Sequence, residues 1–155
     1  MGGRGAAAKG ARWNHAREQV NYTSTSISLA AWETRAHLGR AGARLPFNRY
    51  LVRIDVPDDV WATRTGVATT LAPSRPTSLP TSLSISLPVG WDAIPEGIVS
   101  RNLGSAWLAS GRSVLFVVPS VVIEEENNVL INPAHPDSTR LAAIKVRRFL
   151  YDHRV

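Results

Sequence analysis

Cysteine is absent from this 155-residue chain, so disulfide bonds and thiolate metal sites are excluded. The four histidines show no spacing typical of metal ligands, and we expect no metal site. No apolar run approaches the roughly 18 to 20 residues that a transmembrane helix needs. The glycine-rich start also lacks the apolar core of a signal peptide. We therefore expect a cytoplasmic protein with no membrane partner.

The composition is that of an ordinary globular domain with an excess of positive charge. Hydrophobic residues make up 44% of the chain and charged residues 19%, which predicts one domain over residues 1–155 that buries its own core. The net charge of +6 favours anionic partners, whether nucleic acid, a nucleotide or an acidic protein. The basic residues are scattered, however, whereas a nucleic-acid-binding surface usually clusters them. Charge alone does not choose among these partners.

Hydrophobic periodicity predicts an α+β domain, a compact mixed β-sheet with few helices. The glycine-rich residues 1–11 are typical of a loop. In the strand predicted over 50–56, alternation places Tyr50, Val52 and Ile54 inward. A continuous apolar run over 113–118 predicts a central strand. The other predicted strands cover 19–23, 128–132 and 144–151, and the predicted helices cover 27–38, ended by Gly39 or Gly42, and 102–110.

The segment from 63 to 88 differs from the rest of the chain in composition. Serine, threonine and proline are abundant, and the tetrapeptide PTSL occurs at 76–79 and again at 80–83. This pattern predicts an insertion in a surface loop. The alternation of Leu83, Ile85 and Leu87 leaves room for an added edge strand.

Arg12, Tyr22 and Glu33 follow one another at intervals of ten and eleven residues (22 − 12 and 33 − 22). A guanidinium group binds phosphate in a bidentate manner, and glycines before it let backbone amides approach an anion. A cation, an aromatic ring and a carboxylate on successive elements could close around a dinucleotide-sized anion. Each also has an ordinary explanation: an arginine stacked on Trp13, a core tyrosine, and a carboxylate on the polar edge of a helix.

Two further polar residues follow predicted strands. Ser120 comes directly after the central strand, where ligand contacts are common. Asn132 lies at the end of the next strand, and Asn132-Pro133 is first of all a turn signal. No G-x-S-x-G motif surrounds Ser120, which argues against a serine hydrolase. The chain also lacks a P-loop and a complete G-x-G-x-x-G motif.

From Gly3 onward the chain resembles the RES domain, the toxin half of a bacterial toxin–antitoxin pair. The motifs that carry the resemblance are GARWN (10–14), VNYTSTSISLAAWE (20–33), YLVRIDVP (50–57), VPSVVIEEENNVLINPAHPD (118–137) and FLYDHRV (149–155). Three departures stand out. Ala11 replaces a glycine usual in the family, the family's first strand is missing upstream of residue 1, and the 63–88 segment is longer and more repetitive.

The resemblance implies an ADP-ribosyltransferase-like fold and the breakdown of NAD by hydrolysis or phosphorolysis, without a metal. Arg12 would bind the pyrophosphate or an incoming phosphate, and Tyr22 would pack on the nicotinamide or ribose ring. Glu33 would stabilise the positive charge that develops on the ribose. Ser120 would hydrogen-bond the substrate, and Asn132 would join Arg12, Tyr22 and Ser120 in binding NAD.

The resemblance also implies a toxin that an Xre-like antitoxin neutralises by covering the cleft, with DNA contacted only through the antitoxin. Homodimerisation stays open. One alternative is transfer of ADP-ribose to a protein, and another is an inactive, truncated paralogue that only binds the antitoxin. A basic nucleic-acid-binding module is a third alternative, and the lack of a basic cluster argues against it.

Overall fold

The computed structural model describes residues 3–38, 47–68 and 83–151. The helices are α1 (Arg4–Lys9), α2 (Ile27–Leu38), α3 (Asp58–Ala62) and α4 (Ile98–Ser110), with a short 3-10 helix at Pro136–Arg140. The strands are β1 (Asn21–Ser24), β2 (Arg49–Asp55), β3 (Thr65–Ala68), β4 (Leu83–Ser86), β5 (Leu115–Pro119), β6 (Asn127–Ile131) and β7 (Ala142–Phe149). This order confirms the predicted α+β class.

Five strands form one mixed sheet in the order β1-β6-β5-β3-β4. β6 pairs antiparallel with both β1 and β5, whereas β3 is parallel to both β5 and β4. The middle strand, β5, is the apolar run predicted to be central. Its successive residues Leu115 and Phe116 are both fully buried, so the sheet is covered on both faces there.

Each face of this sheet has its own hydrophobic cluster. The cluster that we call the tryptophan face joins residues from the N-terminal turn, α4 and the sheet, namely Trp13, Val20, Trp107, Phe116, Val118 and Leu130. The opposite cluster comprises Val60, Val114, Leu115, Val129, Ile131 and Leu141, and includes the one buried residue of α3. Because successive side chains of a strand point to opposite faces of the sheet, neighbouring residues of β5 and β6 belong to different clusters.

β2 and β7 form a separate antiparallel pair, the β-ribbon. The prediction that Tyr50 and Val52 point into the core is wrong, because they are 50% and 48% exposed, and only Ile54 packs against a cluster. Among the described residues no third strand pairs with these two, and most of their side chains are exposed. Lys145 covers part of Tyr50 instead, with its Nζ 3.4 Å from the ring centroid. The ribbon's basic residues are Arg49, Arg53, Lys145, Arg147 and Arg148.

The N-terminal segment corrects a second prediction. Residues 1–11 were expected to form a loop, yet Arg4–Lys9 is a helix. Its three alanines are the best helix formers, and Ala6 packs against the tryptophan face. The Gly3 amide, just before the helix, donates to Asn21 Oδ1 at 2.9 Å. Tertiary contacts thus stabilise a helix too short to form alone.

The boundaries of the other predicted elements match to within a few residues, apart from α4, which begins four residues earlier than expected (102 − 98). α3 was not predicted. β3 and β4 occupy both ends of the segment predicted to be a loop insertion, and β4 lies at the sheet edge. Residues 69–82 between them lie outside the described residues, as do Gly39, Gly42 and the tail 152–155. Within the described ranges, no helix is long and apolar enough to cross a bilayer.

Candidate active site

Arg12 lies in a tight turn from Ala11 to Asn14, closed by two backbone hydrogen bonds between these residues. Its Nη1 donates to the carbonyl oxygens of Trp91 and Ala93, both at 3.0 Å. One nitrogen therefore anchors the guanidinium to the loop after β4. Nη2 and Nε make no hydrogen bond within the described part of the chain, so they remain available to a ligand.

The turn is held against the core by its other residues. Trp13 is buried, stacks on Trp91 and meets Phe116 edge to face, each at a centroid distance of 5.9 Å. Asn14 is fully buried and donates through Nδ2 to the carbonyl oxygens of three residues, Ala6, His15 and Glu18. α4 meets the turn at Gly104, where an added Cβ would lie 1.8 Å from the Trp13 carbonyl oxygen.

Tyr22 connects this turn to β1. Its hydroxyl accepts a hydrogen bond from the Trp13 amide at 3.1 Å and donates one to Asn14 Oδ1 at 2.8 Å. Burial of the hydroxyl raises the pKa of Tyr22 well above its usual range, although the Trp13 amide and the charges of Arg101 and Arg12 oppose the shift. The residue as a whole is 40% exposed, so the ring offers surface to a ligand while the hydroxyl does not.

Tyr22→Phe tests this arrangement through the pH dependence of stability. Because the folded state raises the phenol pKa, the associated stabilisation is complete below about pH 10 and is lost as the pH rises beyond it. The wild type should lose more free energy of unfolding than Tyr22→Phe between roughly pH 9 and 11. At neutral pH the variant should be less stable by about 1–2 kcal/mol, since two hydrogen bonds are lost.

Urea unfolding at several pH values measures both effects. Tyr50→Phe is the matched control, because the Tyr50 side chain is half exposed and makes no hydrogen bond among the described residues. Equal losses of stability in wild type and Tyr22→Phe over the alkaline range would contradict the buried hydroxyl.

The Glu33 side chain extends from α2 to the ends of two neighbouring inner strands, at the point where β5 ends and β6 begins. Its Oε1 accepts hydrogen bonds from Ser120 Oγ at 2.7 Å and from Asn128 Nδ2 at 2.5 Å. Oε2 has no hydrogen-bond partner among the residues the structure describes. The sequence placed Glu33 mid-helix, and the structure brings it together with Ser120 across 87 residues of chain.

Ser120 is buried and uses all its hydrogen-bonding capacity within the protein. The hydroxyl accepts from the amides of Val122 at 2.9 Å and Ile123 at 3.1 Å, and donates its single proton to Glu33. A hydroxyl has one donor and two acceptor positions. The structure therefore shows Ser120 holding Glu33, with no donor left for another molecule.

Hydrogen bonds and strand β1 together join the Arg12 turn to Glu33. Tyr22 and Ser24 are two residues apart on β1 and project from the same face of the sheet. Ser24 pairs with Asn128 across the β1–β6 ladder, and its Oγ donates to Asn128 Oδ1 at 2.7 Å. The Arg12 turn, Tyr22 and the Glu33–Ser120 pair are thus linked through β1 and Asn128, and the link reaches the backbone of the turn and not the Arg12 guanidinium.

Asn132 is not brought to this site. It follows β6 at the end opposite Asn128, four residues and roughly 13 Å away along the strand. Its Oδ1 accepts from the Ala134 amide at 3.0 Å, which closes the predicted turn. A cavity of about 350 Å³ near that end, lined by residues including Asn21, Pro133 and Leu141, contains none of the predicted site residues.

Three connecting residues were not singled out from the sequence. Asn14 and Ser24 lie inside motifs in which Arg12, Tyr22 and Glu33 carry the recognisable chemistry, and the strand that contains Asn128 is distinguished by its apolar residues. No sequence pattern shows that Asn14 is buried and bonded to Tyr22, because burial is a property of the folded chain. No local pattern shows that Asn128 meets Glu33, because 95 residues separate them. Within the described ranges, no cluster of three or more histidine and acidic side chains could hold a metal ion.

Comparison with known proteins finds the RES domain family over residues 1–152. A protein of Sphingobium sp. (strain YBL2) named Prs ADP-ribosylating toxin is 46% identical over this whole chain and 86% of its own length. A protein of Pseudomonas putida named Toxin Res is 31% identical over this whole chain and 92% of its own length. Another Toxin Res, from Yersinia enterocolitica, is 29% identical over 99% of this chain and 88% of its own length. The resemblance is confirmed, and the chain belongs to the RES domain family.

Proposed function

We propose that this chain is an enzyme that breaks the bond between nicotinamide and ribose in NAD. The observation that carries the proposal is the Glu33 carboxylate, which is held through Oε1, while Oε2 has no hydrogen-bond partner in the described ranges. Hydrogen bonds and strand β1 link this carboxylate to Tyr22, which is 40% exposed, and to the turn that carries Arg12. Nη2 and Nε of Arg12 have no hydrogen-bond partner among the residues that the structure describes. NAD offers the matching chemistry in its pyrophosphate, its rings and its cleavable glycosidic bond.

In the proposed complex, Arg12 binds the pyrophosphate through Nη2 and Nε, while Nη1 keeps its hold on the carbonyl oxygens of Trp91 and Ala93. A guanidinium fork suits phosphate oxygens and loses little freedom when already anchored. The Tyr22 hydroxyl is already used by Trp13 and Asn14, so Tyr22 contributes its exposed ring face. That face packs on the nicotinamide or ribose ring.

Cleavage breaks the carbon–nitrogen bond, and its electron pair leaves with neutral nicotinamide. The ribose carbon becomes electron-poor and has the character of an oxocarbenium ion until a nucleophile adds. Glu33 stabilises this positive charge through Oε2, because a fixed negative group needs no reorganisation as the charge develops. Ser120 acts through Glu33, in place of the direct substrate contact expected from the sequence.

The nucleophile that receives ADP-ribose distinguishes two forms of this function. The relative with 46% identity is named as an ADP-ribosylating toxin, which supports a protein side chain as the acceptor. Water or inorganic phosphate as the acceptor would instead deplete NAD by hydrolysis or phosphorolysis. The same residues would catalyse the first step in each case, and we place transfer to protein first.

We further propose that the chain acts as the toxin of a toxin–antitoxin pair. The names of the Pseudomonas putida and Yersinia enterocolitica relatives support a toxin. The partner would be an Xre-like antitoxin that covers the face bearing Arg12, Tyr22 and Glu33. Blocking that face would prevent NAD from entering.

Incubation of the purified protein with NAD labelled on the adenylate phosphate tests the function. We expect nicotinamide release, and label on protein when a bacterial extract is added. Labelled free ADP-ribose would indicate hydrolysis, and a labelled product that forms only with phosphate would indicate phosphorolysis. A folded sample that releases no nicotinamide under any of these conditions would refute the enzyme.

A further inference from the structure

Asn128 contacts Glu33 as closely as Ser120 does, and the sequence motifs give it no role. Its Nδ2 lies 2.5 Å from Glu33 Oε1, the oxygen that also accepts from Ser120. The two donors come from the end of β5 and the start of β6, which are neighbours in the sheet. Glu33 comes from α2, so this contact fixes the helix side chain relative to the sheet.

The orientation of the Asn128 amide follows from Glu33, because a carboxylate oxygen can only accept a hydrogen bond. Nδ2 therefore faces Glu33 Oε1, and the flipped amide would place two acceptors, Oδ1 and Oε1, against each other. The Ser24 hydroxyl lies 2.7 Å from Asn128 Oδ1 and donates to it, which holds the amide in this position.

We propose that Asn128, held in place by Ser24, is a positioning residue that directs Glu33 Oε2 toward the reacting ribose. The terminal torsion of a glutamate side chain is broad, so the carboxylate plane would otherwise rotate freely. Two donors on one oxygen restrict that rotation and define which oxygen remains for the substrate. This role rests on the proposed function, in which Oε2 stabilises the developing charge.

The expected consequence is a loss in the chemical step without a loss in NAD binding. Misplacement of a catalytic group by about 1 Å can cost on the order of 100-fold in rate. We expect Asn128→Ala to lower kcat roughly 10- to 100-fold and to change the Kd for NAD less than about threefold. The backbone pairing of residue 128 with β1 and β5 does not involve its side chain, so the variant should stay folded.

Asn127→Ala is the matched control. Asn127 is the neighbouring residue of the same strand, it projects from the other face, and its side chain makes no hydrogen bond within the described residues. This control should keep the wild-type kcat. A fall in kcat equal to that of Asn128→Ala would overturn the proposal, since both would then report only a disturbed strand.

Variants of Ser24 test whether Ser24 acts on Glu33 only through Asn128. Ser24→Ala should lower kcat by about three- to tenfold, and Ser24→Thr should restore it because the hydroxyl returns. Adding Ser24→Ala to Asn128→Ala should have no further effect, since Ser24 acts only through the amide. If the two substitutions lowered kcat independently, so that their fold-changes multiplied in the double variant, Ser24 would not act through Asn128.

Asn128→Asp gives a readout that a merely structural role would not alter. Near neutral pH the introduced carboxylate repels Glu33 and donates nothing, so activity should fall below that of Asn128→Ala. As the pH decreases, the paired carboxyl groups bind a shared proton, a donor returns, and relative activity should recover. A pH profile parallel to that of the wild type would contradict the positioning role.

The decisive experiment measures kcat for nicotinamide release and the Kd for NAD in wild type, Asn128→Ala and Asn127→Ala. A selective loss of kcat in Asn128→Ala supports the proposal. An active wild type with unchanged kcat in Asn128→Ala, or with a proportionate loss of NAD binding, overturns the positioning role alone. A wild type that releases no nicotinamide overturns the proposed function, and the positioning role with it.

Discussion

Glu33→Gln should reduce the rate of nicotinamide release by about 10²- to 10³-fold, the loss typical when one preorganised charge-stabilising group is removed. The hydrogen bonds around Glu33 determine how the side-chain amide of the glutamine is oriented. Ser120 and Asn128 both donate to the oxygen now called Oε1, so they will select the amide oxygen of the glutamine. The amide nitrogen then takes the place of Oε2 and presents a donor where the substrate needs negative charge.

The measurement is single-turnover nicotinamide release, together with circular dichroism and the Kd for NAD. The Kd should change little, because the substitution acts on a charge that appears only in the transition state. In cells, the variant should lose toxicity while remaining folded. Glu125→Gln is the control, since Glu125 is exposed and lies in the turn just before β6. Full toxicity of a Glu33→Gln protein would remove Glu33 from the mechanism.

Gly104→Ala should lower the free energy of unfolding by about 3 kcal/mol, at the upper end of the range for overpacked sites. A Cβ at residue 104 would lie 1.8 Å from the Trp13 carbonyl oxygen and 2.6 Å from the carbonyl carbon. Both are backbone atoms, so no side-chain rotation relieves the contact. α4 and the turn that carries Arg12 must separate, and NAD cleavage should weaken as well.

Thermal unfolding checks this expectation, and a fall in Tm of roughly 6–12 °C corresponds to such a loss in a chain of this length. Gly5→Ala is the matched control, because a Cβ at residue 5 of α1 meets nothing within 4 Å. Alanine is the better helix former, so the control should be neutral or slightly stabilising. Similar Tm values for the two variants would show that the contact at Gly104 relaxes easily.

The sequence predicted best those features that depend on local pattern. The bounds of α2 follow from its apolar spacing and from Ser26, whose hydroxyl accepts from the Leu29 amide and caps the helix. β5 was predicted as central because its apolar run has no polar face. Glu33 and Ser120 were singled out by motif, and the structure joins them.

Features that depend on tertiary contacts were missed. Tyr50 and Val52 alternate like residues of a half-buried strand, but periodicity cannot show whether another layer covers that face. α1 forms because Ala6 and Gly3 meet distant residues. Asn128 could not be assigned, since its amide contacts Glu33 and Ser24, which are 95 and 104 residues away.

The β-ribbon changes how the overall charge of the protein should be understood. Its two strands carry five basic residues and one acidic residue, Asp55, so they account for +4 (5 − 1) of the formal +6. The other residues together are close to electrically balanced. The high isoelectric point is therefore largely a property of the ribbon, and it gives no measure of how strongly the proposed site, with Arg12, attracts an anion.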